Sequence, residues 1–283
     1  MKLIRQGVLV ILIALGWSFV SELEYVVYAV LGIRPATLGL HPGMLIGLYA
    51  EGIAVALMVL CYRKRPWLTV MPLEGRTTVR QYGLGALVGL GMFSAIWGVV
   101  VLGGGYRIVG VLRLSQVGLI SLYLGGFGIQ SLLEEVLCRG YLMGYWLKQG
   151  RVLAAVMINT LFFALLHGLN PGFDLRAGVG VFCFGLLMSE LRLVTGNLWL
   201  GAAVHGAWNF AEGILYGTAV SGMPNIGLIL HSQPVAGHVL VTGGTFGIER
   251  SLPALVVLLG AIGWCGLKYA SGSAPKGGLG SDR

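Results

Sequence analysis

Charge is what this chain has least of. Only 11% of its 283 residues are Asp, Glu, Lys or Arg, against roughly 25% in soluble domains, and the mean hydropathy is +0.84. That composition excludes a water-soluble globular domain. Acid is scarcer still, with eleven Asp and Glu against nineteen Lys and Arg. Cysteine is sparse: Cys61, Cys138, Cys183 and Cys265 stand singly, without CxxC spacing, which argues against a disulfide framework or a cysteine-held zinc. No HExxH pair occurs, so the two-histidine zinc helix of many metalloproteases is missing. The net charge of +8 comes from basic residues spread among loops, unlike the basic patch with interleaved aromatics of a nucleic-acid binder.

What is present is apolar stretch after apolar stretch, each near the ~20 residues that cross a ~30 Å hydrocarbon core. The expected fold is all-α, a polytopic membrane protein of about eight transmembrane helices enclosing an intramembrane cavity. The spans are expected near 7–33, 43–62, 82–103, 115–147, 152–173, 177–191, 197–217 and 252–270, forming one membrane domain over 1–270. The first is too long for a signal peptide and lacks a small-residue cleavage site, so it reads as a retained helix. Its Glu22 and Glu24 read as a helix end reaching the headgroups. Fourteen of the nineteen basic residues fall on the side of both termini, which the positive-inside rule assigns to the cytoplasm. Gly83, Gly85, Gly89 and Gly91 are expected to mark a close helix-packing face. Residues 218–251, rich in turn formers, read as an extracytoplasmic or re-entrant loop. The small, polar segment 271–283 is expected to be disordered.

Against this background three polar clusters stand out: EEVLCRG with Glu134, Glu135 and Arg139; FALLH ending in His167; and HGAWN with His205 and Asn209. Ionisable side chains at membrane depth cost at least a few kcal/mol each, which favours a functional use. Measured from the basic residue at the cytoplasmic end of its own helix, Glu134 lies about 21 Å deep, His167 about 24 Å and His205 about 20 Å at 1.5 Å per residue. The clusters therefore share one depth. Glu135 and Arg139, Phe163 and His167, and His205 and Asn209 are each four apart and share a face. Glu134 and Glu135 are separated by about 100° around the helix, so one carboxylate is expected to pair with Arg139 and leave Glu134 free as general base. A neutral His167 beside it would help hold a water, and His205 with Asn209 would donate to a developing oxyanion. Glu212, seven residues past His205, is expected to support this face. Glu190 with Arg192 reads as interfacial, and His41, His231 and His238 are assigned no function.

The ordered motifs EExxxR at 134–139, FxxxH at 163–167 and HxxxN at 205–209 resemble the signature of the CPBP family, also called Abi, over residues 115–217. TGGTFGIERSL at 242–252 is similar to a stretch that follows the core in bacterial members. The resemblance implies an eight-helix intramembrane endopeptidase of the CAAX-protease type acting on a peptide or membrane-protein substrate. It assigns water activation to Glu134 and His167, oxyanion binding to His205 and Asn209, and support to Glu135 and Arg139. A cofactor-free, glutamate-dependent mechanism is favoured. The second mechanism is zinc held by His167, His205 and Glu134 with an open fourth position. A non-catalytic immunity or partner-binding scaffold of the same fold is the alternative function. A transporter would favour internal repeats, and none is evident between the halves. The expected location is the bacterial inner (plasma) membrane.

Overall fold

The computed structural model describes residues 2–110 and 112–271. The chain runs through helices α1 (Lys2–Val20), α2 (Leu23–Leu31), α3 (Leu40–Cys61) and α4 (Arg76–Leu102), then strand β1 (Tyr106–Gly110) and helix α5 (Val117–Glu135). A π-helical stretch, Val136–Leu142, joins α5 to α6 (Met143–Leu147), followed by α7 (Val152–Leu166), α8 (Leu175–Thr195) and α9 (Trp199–Phe210). A second π-helical stretch, Ala211–Leu215, extends α9 before β2 (Leu230–Pro234), α10 (Val239–Thr242) and α11 (Leu252–Ala270).

The helix ends follow local chemistry. The Asp174 side chain accepts from the Ala177 N–H at the start of α8, and Ser251 does the same for Ala254 at the start of α11, with proline in the first turn. Such caps satisfy backbone donors that have no partner within the helix. Gly196 ends α8 in the left-handed conformation that glycine adopts without strain.

The molecule is an all-α polytopic membrane protein. Among the described residues six helices are long and apolar enough to cross a membrane, or seven when α1 and α2, bent by 46°, count as one span. The segment expected as a span at 197–217 is the short α9 with its π-helical extension, most of it buried. It lies inside the bundle against α4 and α5, so its length is set by packing between helices and not by the lipid.

Close approach explains that packing. A Cβ on Gly85 would lie 2.4 Å from the Leu200 carbonyl oxygen, and one on Gly89 2.2 Å from that of Val204. Only glycine lets the backbones of α4 and α9 meet there. Gly83 and Gly91 face open space, because a shift of two residues turns a helix position by about 200°.

Residues 104–110, 112–116 and 216–251 build a cap at one end of the bundle. Its antiparallel sheet pairs Tyr106 with Pro234 and Gly110 with Leu230. No strand was expected here; the pairing satisfies backbone groups in a region whose Leu228, Phe246 and Ile248 are buried. The polar tail from residue 272 onward lies outside the described residues.

Candidate active site

The site is assembled around the C-terminal end of α5. Arg139, in the following π-helical turn, is fully buried and donates from Nη1 to Glu135 Oε1 at 3.0 Å and from Nη2 to the Gly185 carbonyl at 2.8 Å. Its guanidinium lies 4.4 Å from the centre of the Phe163 ring, a cation–π contact that helps hold a charge out of water. Glu135 is 1% exposed, so this is a buried, hydrogen-bonded ion pair.

From α9, His205 reaches both carboxylates. Its Nδ1 lies 3.0 Å from Glu135 Oε1 and its Nε2 3.5 Å from Glu134 Oε2. A Glu135 carboxylate held by arginine can only accept, so His205 carries its proton on Nδ1 and turns Nε2 toward Glu134. The same reasoning fixes His167, which closes α7. Its Nδ1 lies 2.9 Å from the Phe163 carbonyl, an acceptor, which leaves Nε2 free. Phe163 packs against both rings, at centroid distances of 4.7 Å to His167 and 5.9 Å to His205.

Glu134 has a second positioning partner that the sequence reading did not name. Gln130 donates through Nε2 to Glu134 Oε1 at 2.5 Å and accepts at Oε1 from Asn209 Nδ2 at 3.0 Å. Its spacing of four residues from Glu134 was the available signal. A hydrogen-bonded chain thus runs from Asn209 through Gln130 to Glu134, and on the other side from His205 through Glu135 to Arg139. Glu134 Oε2 makes no hydrogen bond.

These residues surround one cavity of about 310 Å³. Glu134, Phe163, His167, His205 and Asn209 line it, with Gln130, while Glu135 and Arg139 stand behind them. Glu212 does not line it. That carboxyl is completely buried beside Trp208 and the Ile248 backbone, and a Cβ on Gly247 would lie 3.1 Å from its Oε1. The face shared by residues 205, 209 and 212 assumes 3.6 residues per turn, and the wider π-helical turn beginning at Ala211 breaks that phase. Glu212 therefore faces the cap.

The cap contributes Ser221, Met223 and Glu249 to the cavity. Glu249 is 6% exposed and accepts from Ser221 Oγ at 2.5 Å. Burial pushes its carboxyl above the ordinary value. Next to it, Arg250 donates from Nε and Nη2 to the two Asp174 oxygens at 2.9 and 2.5 Å. These hydrogen bonds hold the Asp174 carboxyl well below the usual carboxylate range.

Among the described residues no three His, Cys, Asp or Glu side chains are grouped to hold a metal ion. Glu134 and His205 approach each other, but His167 does not complete a three-ligand set with them.

Fold and cavity together define a membrane-embedded protein whose paired carboxylates and histidines enclose a space suited to hydrolysis. Residues 116–211, about a third of the chain, match the family described as type II CAAX prenyl endopeptidase Rce1-like. That match supports a likeness to the CPBP, or CAAX protease, family of intramembrane proteases over this segment. No curated protein and no solved structure matches it.

Proposed function

We propose that this protein is an intramembrane endopeptidase in which Glu134 activates water against a peptide bond of a membrane-associated or peptide substrate. The observation that carries the reading is the unpaired Glu134 Oε2, facing His205 Nε2 in a cavity that His167 and Asn209 also line. A water between Glu134 and His167 Nε2 gives its proton to the carboxylate as its oxygen attacks the carbonyl carbon. The tetrahedral oxyanion takes hydrogen bonds from the second Asn209 N–H and from His205 Nε2. That role requires His205 doubly protonated, since Nδ1–H is already committed to Glu135. The C–N bond then breaks, and Glu134 returns its proton to the leaving amine.

Gln130 and Glu135 act as positioning residues, one on Glu134 and the other on His205. The protein lies in a bacterial inner membrane with both termini in the cytoplasm, an orientation in which α9 completes an eighth crossing. The test incubates purified wild type and Glu134→Gln in nanodiscs with a membrane-peptide library and reads new termini by mass spectrometry. Cleavage by wild type alone is expected. Equal cleavage by both, or none by wild type, rejects the reading.

A further inference from the structure

The cavity has a charge imbalance that its hydrolytic chemistry does not require. Five of the chain's eleven acidic residues line it, namely Glu22, Glu24, Glu51, Glu134 and Glu249, and among the described residues no Lys or Arg does. This occurs in a protein of net charge +8. Glu134 has its place in the reaction, and the other four have none. They come from separate elements: Glu22 from the bend between α1 and α2, Glu24 from α2, Glu51 from α3 and Glu249 from the cap.

Among the described residues none of these four forms an ion pair. Glu24 Oε2 and Glu51 Oε2 are shut off from solvent and make no hydrogen bond. Glu249, more than nine-tenths buried, accepts from the Ser221 hydroxyl and, among the described residues, forms no ion pair with Lys or Arg. A buried carboxylate without a counter-charge is costly, and the buried Glu249 with the shielded, unpartnered oxygens of Glu24 and Glu51 leaves a demand for positive charge at this cavity. Glu249 is also fixed in place. A Cβ on Gly180 would lie 2.0 Å from its carbonyl oxygen, so α8 meets the cap backbone there, and the neighbouring Arg250 is clamped to Asp174. An anchor this rigid suits recognition by a preorganised charge.

We propose that this carboxylate lining, with Glu249 as its fixed point, binds a cationic group of the substrate, so that the cavity takes a Lys- or Arg-bearing peptide. This rests on the endopeptidase reading for what happens after binding. A free peptide carboxyl terminus is disfavoured at the same place by like-charge repulsion. Burial raises the Glu249 carboxyl above its ordinary value, and a cation lodged beside it draws it back down.

The experiment measures binding separately from turnover. Acetylated, amidated apolar hexapeptides carrying a neutral fluorophore and a central Lys, Gln or Glu are titrated by anisotropy against the full chain in zwitterionic nanodiscs, with empty discs subtracted. Wild type is expected to bind the Lys peptide about tenfold more tightly than the Gln peptide, the size of one charge-assisted contact, and the Glu peptide weakest. Glu249→Gln and Glu51→Gln each shrink the Lys-to-Gln ratio and leave Gln-peptide affinity and melting temperature unchanged. If Glu249→Gln does not fold, Glu51→Gln and Glu24→Gln carry the test. Equal affinity for Lys and Gln peptides in wild type, no binding of any peptide, or a ratio that survives the substitutions overturns the proposal. Mass spectrometry of the same mixtures keeps the two readings apart. Lys-selective binding without cleavage upholds the cation site and rejects the protease, whereas cleavage without Lys preference does the reverse.

Discussion

Glu134 and Glu135 are adjacent in sequence, yet one faces the cavity and the other the protein behind it. Behind, Glu135 has a full set of partners: Arg139 at 3.0 Å, His205 at 3.0 Å and almost no exposure. On the cavity side Glu134 keeps 21% of its side chain exposed and leaves one oxygen without a hydrogen bond. The difference teaches that the site divides its carboxylates by neutralisation. A charge compensated by arginine holds the imidazole, and an uncompensated one faces the cavity. The cap extends the contrast, because its Glu249 is buried yet, among the described residues, has no arginine or lysine partner.

The contrast can be broken experimentally. On the cavity side, Glu134→Gln is expected to lower kcat by about 10²- to 10⁴-fold, the usual worth of a general base, with a melting temperature close to wild type; near-normal turnover would show that the exposed carboxylate is not the base. Behind it, Arg139→Ala is expected to destabilise the fold by about 3–5 kcal/mol, because Glu135 is left buried and unpaired. Reversible denaturation in detergent measures this, and the double variant Glu135→Gln/Arg139→Met should recover part of the loss. A destabilisation no greater than that of Glu134→Gln would abolish the distinction between the two carboxylates.

Between them, Gln130→Ala removes one hydrogen bond to Glu134 and one from Asn209. A loss of about tenfold in kcat/KM is expected, in line with about 1–1.5 kcal/mol of hydrogen bonding. Steady-state kinetics on any cleaved peptide would detect it, and unchanged kcat/KM would remove Gln130 from the site.

The smallest effect concerns the clamp beside the cap. Arg250 depresses the Asp174 carboxyl in the folded protein, so the stabilisation is present above the ordinary carboxylate value of 3.8 and is lost as pH falls below it. Asp174 is 43% exposed, and such pairs contribute about 0.2–1 kcal/mol. Asp174→Asn should therefore flatten the acid limb of the stability profile slightly, as followed by thermal melts from roughly pH 5 down to roughly pH 2, the span over which a depressed carboxylate loses its contribution. An unchanged acid limb would show that the clamp adds nothing to the cap.

Much of the arrangement was legible in the chain. Helical rise placed Glu134, His167 and His205 at one depth, and the structure gathers them around one cavity. Spacing by four predicted the Glu135–Arg139 pair. What periodicity missed shares a cause: it assumes a regular helix and sees only neighbours along it. The π-helical turn at Ala211 carried Glu212 away from the site. Gln130 is readable by the same spacing, whereas Glu249, reaching the cavity from a loop far along the chain, has no periodicity to announce it.

The sequence by itself determined that this is a membrane protein and which segment carries the family motifs, because hydropathy and spacing are properties of the chain taken a few turns at a time. Only the tertiary structure decided which carboxylates are neutralised, how short α9 is, and which end of the cavity stays acidic. Those depend on which groups from distant elements arrive within hydrogen-bonding reach after folding, and local spacing carries no record of them.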